Sequence, residues 1–377
     1  MVFATLSRQE LKFLEARLDT VELQAGCRHQ CLGCGSSAQK PGPVMSWEMY
    51  SEIMVWIKEI HEREGLNLFR PQQGFDFMHP DGYFTLFWAS DPMSYRTVDK
   101  QGKVRTIWDA AQLLFDIHGR KTDLTTYGWK STQSDLENAA RQLVADFKHG
   151  RAIVRDINYS IKPFGLHFRS DFDRFVKAKE IDPTVRYEEF KEKYAQEFFA
   201  SSSFVANMLA NMRTLEGAPV LYTGQCLAQD DTNNLPQQLY RYRTFFSENM
   251  MVLLLCYCRE EVGNITVQGQ ARPFEGVGKA SQDLGIVSTS FWDRLGPIDE
   301  YDYEHLETVE EIRYAIKINY DGTLQILPHG NGESIEDVVI PQRYFEQTAQ
   351  FFEAQGERAK VEHYRMLAGL QGRKLFY

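Results

Sequence analysis

Apolar and polar positions change rhythm repeatedly along the chain. Thr20 to Gly26 alternates, with Val21, Leu23 and Ala25 on one face, which predicts a short strand. From Ser46 the spacing lengthens to that of a helix. Trp47, Tyr50, Ile53, Met54, Ile57 and Ile60 recur on one side, Ser46 can cap the start, and the pattern runs to about Glu64. Tyr83 to Ala89 is a compact aromatic and apolar run, as in a buried strand. Ile107 to His118 predicts a helix that stops at Gly119. Asp123 to Tyr127 and Asp156 to Ile161 predict strands, with an amphipathic helix between them over Asp135 to His149. Tyr187 to about Leu215 reads as one long helical stretch. Val220 to Gln225 then predicts a fifth strand, Phe245 to Cys258 a buried helix and Ile265 to Gln270 a sixth strand.

Strands that alternate with helices imply a parallel sheet with crossover helices, an α/β architecture. Six units are fewer than the eight of a closed barrel, so the expected fold is a partial (β/α)6 TIM-type barrel. After about residue 290 the pattern changes. Tyr314 to Tyr320 and Thr323 to Leu327 alternate around Asp321-Gly322, a hairpin turn signal, and Tyr344 to Leu370 is mainly helical. The expected organisation is an N-terminal helix over 1–18, the barrel over 19–290 and a small C-terminal α+β cap, hairpin plus helices, over 291–377.

Composition narrows the function classes. A net charge of −10 argues against a broad basic surface for nucleic acid. The longest greasy patch, Met250 to Tyr257, is far shorter than the ~20 residues of a membrane span, so no membrane association is expected. Met1 to Glu10 lacks the layout of a secretory signal. Six cysteines in 377 residues are no disulfide framework, which points to the reducing cytoplasm.

Three of those cysteines crowd into one loop, Gly26-Cys27-Arg28-His29-Gln30-Cys31-Leu32-Gly33-Cys34-Gly35, just past the first predicted strand. That end of a parallel sheet is where active sites gather. Cys27, Cys31 and Cys34 can hold three corners of an iron–sulfur cube and leave one iron for another ligand. A structural zinc site would need a fourth ligand, and His29, Cys226, Cys256 and Cys258 sit at no standard spacing for one. Three unrelated thiols in a flexible loop are the remaining reading, as is a non-catalytic iron–sulfur or zinc protein that senses or scaffolds.

The cysteine spacing, placed after the first strand of a repeated strand–helix chain, resembles the radical S-adenosylmethionine (radical SAM) superfamily. That resemblance implies the partial barrel, a 4Fe-4S cluster, and SAM chelated at its open iron. It also implies reductive cleavage of SAM to a 5′-deoxyadenosyl radical that abstracts hydrogen from an organic substrate. The position before the third cysteine, often aromatic in the family, is Gly33. Ser90-Asp91-Pro92 at the second strand end is similar to the family segment that binds the SAM ammonium, with Asp91 as the carboxylate. Thr126, at the third strand end, is where the family faces the cofactor. Asn158, Ser160 and Lys162 alternate onto one face of the fourth strand, like the family's polar SAM site there.

Cys226, just past the fifth strand, is a candidate hydrogen donor to a substrate radical, or else a small apolar filler. Cys256 and Cys258 read as core, His29 as incidental, and His118, His149, His167 and His329 carry no assignment. The C-terminal hairpin is similar to the start of the cysteine-rich SPASM extension, but no cysteine follows Cys258, so no auxiliary cluster is expected there. The implied partners are a small-molecule or peptide substrate, as in natural-product tailoring, and a one-electron reductant such as flavodoxin or ferredoxin.

Overall fold

The computed structural model describes residues 3–29, 41–69, 84–87, 90–130, 132–161, 166–226, 235, 239–263, 271–273, 313–329 and 342–376. Local signals set most boundaries. Helix α1 (Arg8–Arg17) precedes strand β1 (Leu18–Val21). Helix α2 (Trp47–Glu64) starts where the Ser46 hydroxyl accepts the Met49 N–H at 3.2 Å, and ends at Gly65 in the left-handed conformation that glycine adopts without strain. A hairpin, β2 (Arg96–Val98) and β3 (Val104–Thr106), leads into α3 (Ile107–His118), which ends at Gly119 as its sequence predicts.

Strand β4 (Thr122–Thr126), helix α4 (Ser134–Lys148) and strand β5 (Val154–Ile161) follow. The long helical stretch expected over Tyr187 to Leu215 is broken. After α5 (Leu166–Ala178) come α6 (Tyr187–Lys193), α7 (Ala195–Ser201) and α8 (Ser203–Thr214). Ser202 leaves the helical region and caps α8 by accepting the Val205 N–H at 3.2 Å. Asp171 of α5 fixes that break by accepting the Ser202 hydroxyl and the Phe204 N–H, each at 2.8 Å. Strand β6 (Val220–Cys226) precedes the Arg243–Phe246 and Glu248–Val262 helices. The expected sixth strand, Ile265 to Gln270, lies outside the described residues; strand β7 (Ala271–Pro273) begins directly after it.

The fold is mixed α/β. Strands β4, β5, β6 and β7 form a parallel sheet in sequence order. A second sheet has the order β1, β8 (Arg313–Ile318), β9 (Leu324–His329), with β8 parallel to β1 and antiparallel to β9. The segment around Thr85 lies between the two, through single parallel bridges Thr20–Thr85 and Thr85–Asp123. Among the described residues these sheets are open and close no barrel. The hairpin expected in the cap therefore sits on the edge of β1. The Gln342–Ala354 and Arg358–Leu370 helices pack on each other behind it.

The sheet has two unlike faces. Leu124, Ile157, Tyr159 and Tyr222 share one, and the Tyr159 hydroxyl donates to Asn211 of α8 at 3.0 Å. The other is polar. Lys317, Thr20, Thr85 and Asp123 are registered neighbours across four segments. Thr20 and Thr85 share a hydroxyl contact at 2.9 Å, Lys317 Nζ meets Glu22 at 3.0 Å, and Arg155 Nε donates to Asp123 at 2.9 Å. Parallel sheets covered by helices on both faces are apolar on both. Here Glu22 and Lys317 are buried as an ion pair, so the charged face is paired within the protein rather than by water.

Candidate functional site

The cysteine loop leaves the C-terminal end of the first strand. Its two ends return to each other: Ala25 N–H donates to Pro43 O at 3.0 Å and Gly42 N–H to Ala25 O at 2.8 Å. A side chain at Gly42 would begin 3.1 Å from the Ala25 Cβ, tighter than ordinary contact, so glycine suits that closure. Gly26 takes a left-handed turn (φ 67°) directly before Cys27. Cys27 is half-buried, and its Sγ accepts the His29 N–H at 3.5 Å. Cys31 and Cys34 lie outside the described residues.

Asp91 ties this loop to two other strand ends. It is 4% exposed. One oxygen accepts the Met93 N–H at 2.9 Å and the Thr126 hydroxyl at 2.8 Å. The other accepts the Tyr127 N–H at 2.7 Å and faces His29 Nε2 at 3.1 Å. The His29 ring also packs on Tyr127, 4.7 Å between centroids. Below it, Ser94 Oγ donates to the Asp91 carbonyl at 2.7 Å and to Gln24 at 3.3 Å. Three segments thus converge on one carboxylate: two of them donate hydrogen bonds and the third brings His29 against it.

This arrangement changes several expectations. The sequence reading has Asp91 present its carboxylate to a ligand ammonium, but both its oxygens accept from protein donors. It organises the strand ends. His29, read as incidental, lies against that carboxylate at 3.1 Å. Thr126 donates to Asp91 and accepts the Gly128 N–H at 2.9 Å, and it is registered with Tyr159 on the helix-facing side. Its neighbour Thr125 is the residue registered with Asn158 on the polar face. Ser90 is half-buried beside Asp91.

On β5, Asn158 and Ser160 do share the polar face. Asn158 accepts the Thr223 hydroxyl of β6 at 2.9 Å, and Ser160 is registered with Thr223. Lys162 lies outside the described residues. Cys226 falls on the opposite side: alternation along β6 gives it the face of Tyr222 and Gly224, where a side chain at Gly224 would run into Met251 and touch Leu255. It is 2% exposed, and burial, helped by Glu248, pushes its thiol up to about 11. That placement is a core thiol's, and it removes the geometric basis for a hydrogen donor facing the polar side. Cys258 is core as expected, whereas Cys256 is exposed.

Sequence reasoning missed His29, Thr125 and the Glu22–Lys317 pair. A signal existed for part of this. Thr20, Glu22 and Gln24 are the other half of the alternation that Val21 and Leu23 announce, and all three are buried. His118, left unassigned, is structural: its Nε2 lies 3.0 Å from the Met54 carbonyl.

For an iron–sulfur cluster the donor set is chemically apt. A thiolate that receives a backbone N–H, on a glycine-bearing loop with a closed base, suits iron ligation. Among the described residues, which include Cys27 but not Cys31 or Cys34, no group of three His, Cys, Asp or Glu side chains is placed to hold a metal. No helix among them is long and apolar enough to cross a membrane. Compared with known proteins, the chain matches no family model and no curated sequence.

Proposed function

We propose that this protein is a radical SAM enzyme acting on a small-molecule or peptide substrate. The observation that carries the reading is the convergence at Asp91. The cysteine loop, the Ser90-Asp91 segment and the end of β4 meet on one buried carboxylate at the C-terminal ends of neighbouring parallel segments. Parallel neighbours in sequence order, from β1 through Thr85 to β7, support reading the sheet as a six-stranded partial barrel whose polar face is its interior. Cys27, Cys31 and Cys34 would hold a 4Fe-4S cluster. When bound, that cluster supplies the electron that cleaves SAM and yields a 5′-deoxyadenosyl radical able to abstract hydrogen from the substrate.

The chain's own residues then have distinct tasks. Asp91 holds the cysteine loop against the end of β4 through His29, Thr126 and Tyr127. Thr125, Asn158, Ser160 and Thr223 offer hydroxyl and amide groups along the interior, suited to ribose and carboxylate oxygens. In sequence, Lys162 continues that spacing. Buried helix-facing residues such as Tyr159 and Tyr222 exclude water from the far side of the sheet.

The test is anaerobic reconstitution with iron and sulfide, then reduction in the presence of SAM. Iron bound in a cluster and formation of 5′-deoxyadenosine are the expected results. A Cys27→Ala/Cys31→Ala/Cys34→Ala variant that keeps a full cluster, or a reduced cluster that leaves SAM intact, would overturn the reading.

A further inference from the structure

Among the described residues, the buried side-chain N and O atoms without a hydrogen-bond partner are Gln112 Oε1, Trp129 Nε1 and Arg169 Nε. Buried polar groups are nearly always paired, so each exception calls for an explanation. Gln112 belongs to α3, where its amide nitrogen donates to Asp116 at 2.7 Å. The other two atoms are both donors. Both lie on segments that leave the C-terminal ends of neighbouring strands: Trp129 just after β4, and Arg169 in the first turn of the helix that follows β5.

Trp129 is 3% exposed, and its backbone N–H and carbonyl are held by Asn211 and Asn207 of α8. The guanidinium of Arg169 stands 5.7 Å from the centre of the Tyr242 ring, whose hydroxyl donates to Asp173 at 2.8 Å. Nearby arginines have acidic partners: Arg174 pairs with Asp171, and Arg241 with Asp173. Arg169 has none among the described residues. Its neighbour Phe168 packs on Phe204 at 5.3 Å, and Phe204 on Tyr127 at 5.7 Å, which leads back to the ring that faces His29.

An arginine backed by an aromatic face, with an N–H short of an acceptor, suits a planar or tetrahedral oxyanion. We propose that Arg169, backed by Tyr242, is an anion subsite that takes a carboxylate or phosphate carried by the substrate. Trp129 Nε1 is a second orphaned donor at the same end of the sheet; the assignment itself stands on Arg169 and Tyr242. The assignment rests on the radical SAM reading only in giving the anion to a substrate; the binding itself needs no cluster.

Inorganic phosphate and succinate are titrated separately into the apo full-length chain by calorimetry, with sodium chloride holding ionic strength constant. Saturable binding of at least one is expected, and the tighter one names the group. Arg169→Gln should weaken it about tenfold or more, and Arg169→Lys by less, because lysine keeps the charge and loses the fork. A thermal melt checks folding, and Arg169→Lys serves if Arg169→Gln does not fold. No saturable binding of either anion to the wild type, or wild-type binding in both variants, overturns the proposal. In reconstituted protein, SAM affinity should be unchanged in Arg169→Gln. A loss of SAM affinity with anion binding intact would assign the arginine to SAM's own carboxylate and also overturn it. Failure of the radical SAM reading has a different signature: no cluster, with anion binding retained.

Discussion

Two buried aspartates tie chain segments together in different parts of the molecule. Asp171 accepts the Ser202 and Ser203 hydroxyls and the Phe204 N–H, and pairs with Arg174 one turn along its own helix. Asp91 accepts two backbone N–H groups and a threonine hydroxyl, and faces His29. They are almost equally buried, 5% and 4% exposed. The difference lies in what they gather. Asp171 fixes one helix start inside a run of helices. Burial pushes its carboxyl up, but the Phe204 N–H, the two serines and Arg174 outweigh burial and hold it below the usual carboxylate value. Asp91 gathers three segments from three strand ends, one of them the cysteine loop. Asp171 is answered from its own helix and from a single other segment, the start of α8. Asp91 is answered from three segments at once, and the proposed site lies where they meet.

A third buried carboxylate sets the upper scale. Glu22 and Lys317 are 5% and 6% exposed and 3.0 Å apart. Lys317→Met leaves Glu22 in the dry interior without that cation and should lower the unfolding free energy by about 3–5 kcal/mol in urea titrations. Adding Glu22→Met should recover most of it, since the desolvation cost of both ions is then removed. Recovery of nothing would show that the pair contributes through more than its charge.

The two aspartates should separate next. Asp171→Asn should cost roughly 2–3 kcal/mol of stability, because several bonds to a charged acceptor are weakened at once. Iron retained per folded chain should not change. Asp91→Asn should cost less, on the order of 1–2 kcal/mol, yet lower iron retention after anaerobic reconstitution severalfold. Equal iron retention in the two variants would erase the distinction. The pH dependence gives a second check. Asp171's contribution is present above the ordinary aspartate value of 3.8 and is lost as pH falls through its lower folded value. The deficit of Asp171→Asn should therefore shrink in acid.

The smallest effect concerns a group outside both knots. Burial takes the His118 imidazole from 6.5 down to about 4, with Lys58 and His61 adding to it and the Met54 carbonyl opposing. The folded state disfavours its charged form, so stability is lost as pH falls from 6.5 toward about 4. His118→Gln should flatten that part of a melting-temperature profile. Parallel profiles for wild type and variant would place the acid-sensitive group elsewhere.

How much of this was legible in the sequence depended on range. The helix that Ser46 caps and Gly65 ends, the stop at Gly119 and the hairpin at Asp321-Gly322 all follow from a few consecutive residues, because caps, periods and turns are local devices. The cysteine spacing and its position after the first strand are legible for the same reason. The break in the helical stretch after Tyr187 was not, since the serines that end α7 do so with a carboxylate supplied from α5.

The sequence by itself determined the alternation of strands and helices, the end of the sheet from which the cysteine loop leaves, and the alternation that puts Asn158 and Ser160 on one face. Tertiary structure alone decided which groups meet there. Lys317 answers Glu22 across 295 positions, and a pairing of that range leaves no trace in the residues beside either one. Facing is fragile in the same way. A register irregularity where β4 pairs with β5 shifts which residues lie opposite each other, so Thr125 and not Thr126 joins Asn158. Cys226, one strand further on, turns to the helices because side-chain parity and the packing of the Glu248–Val262 helix agree there, and neither can be read from the cysteine itself.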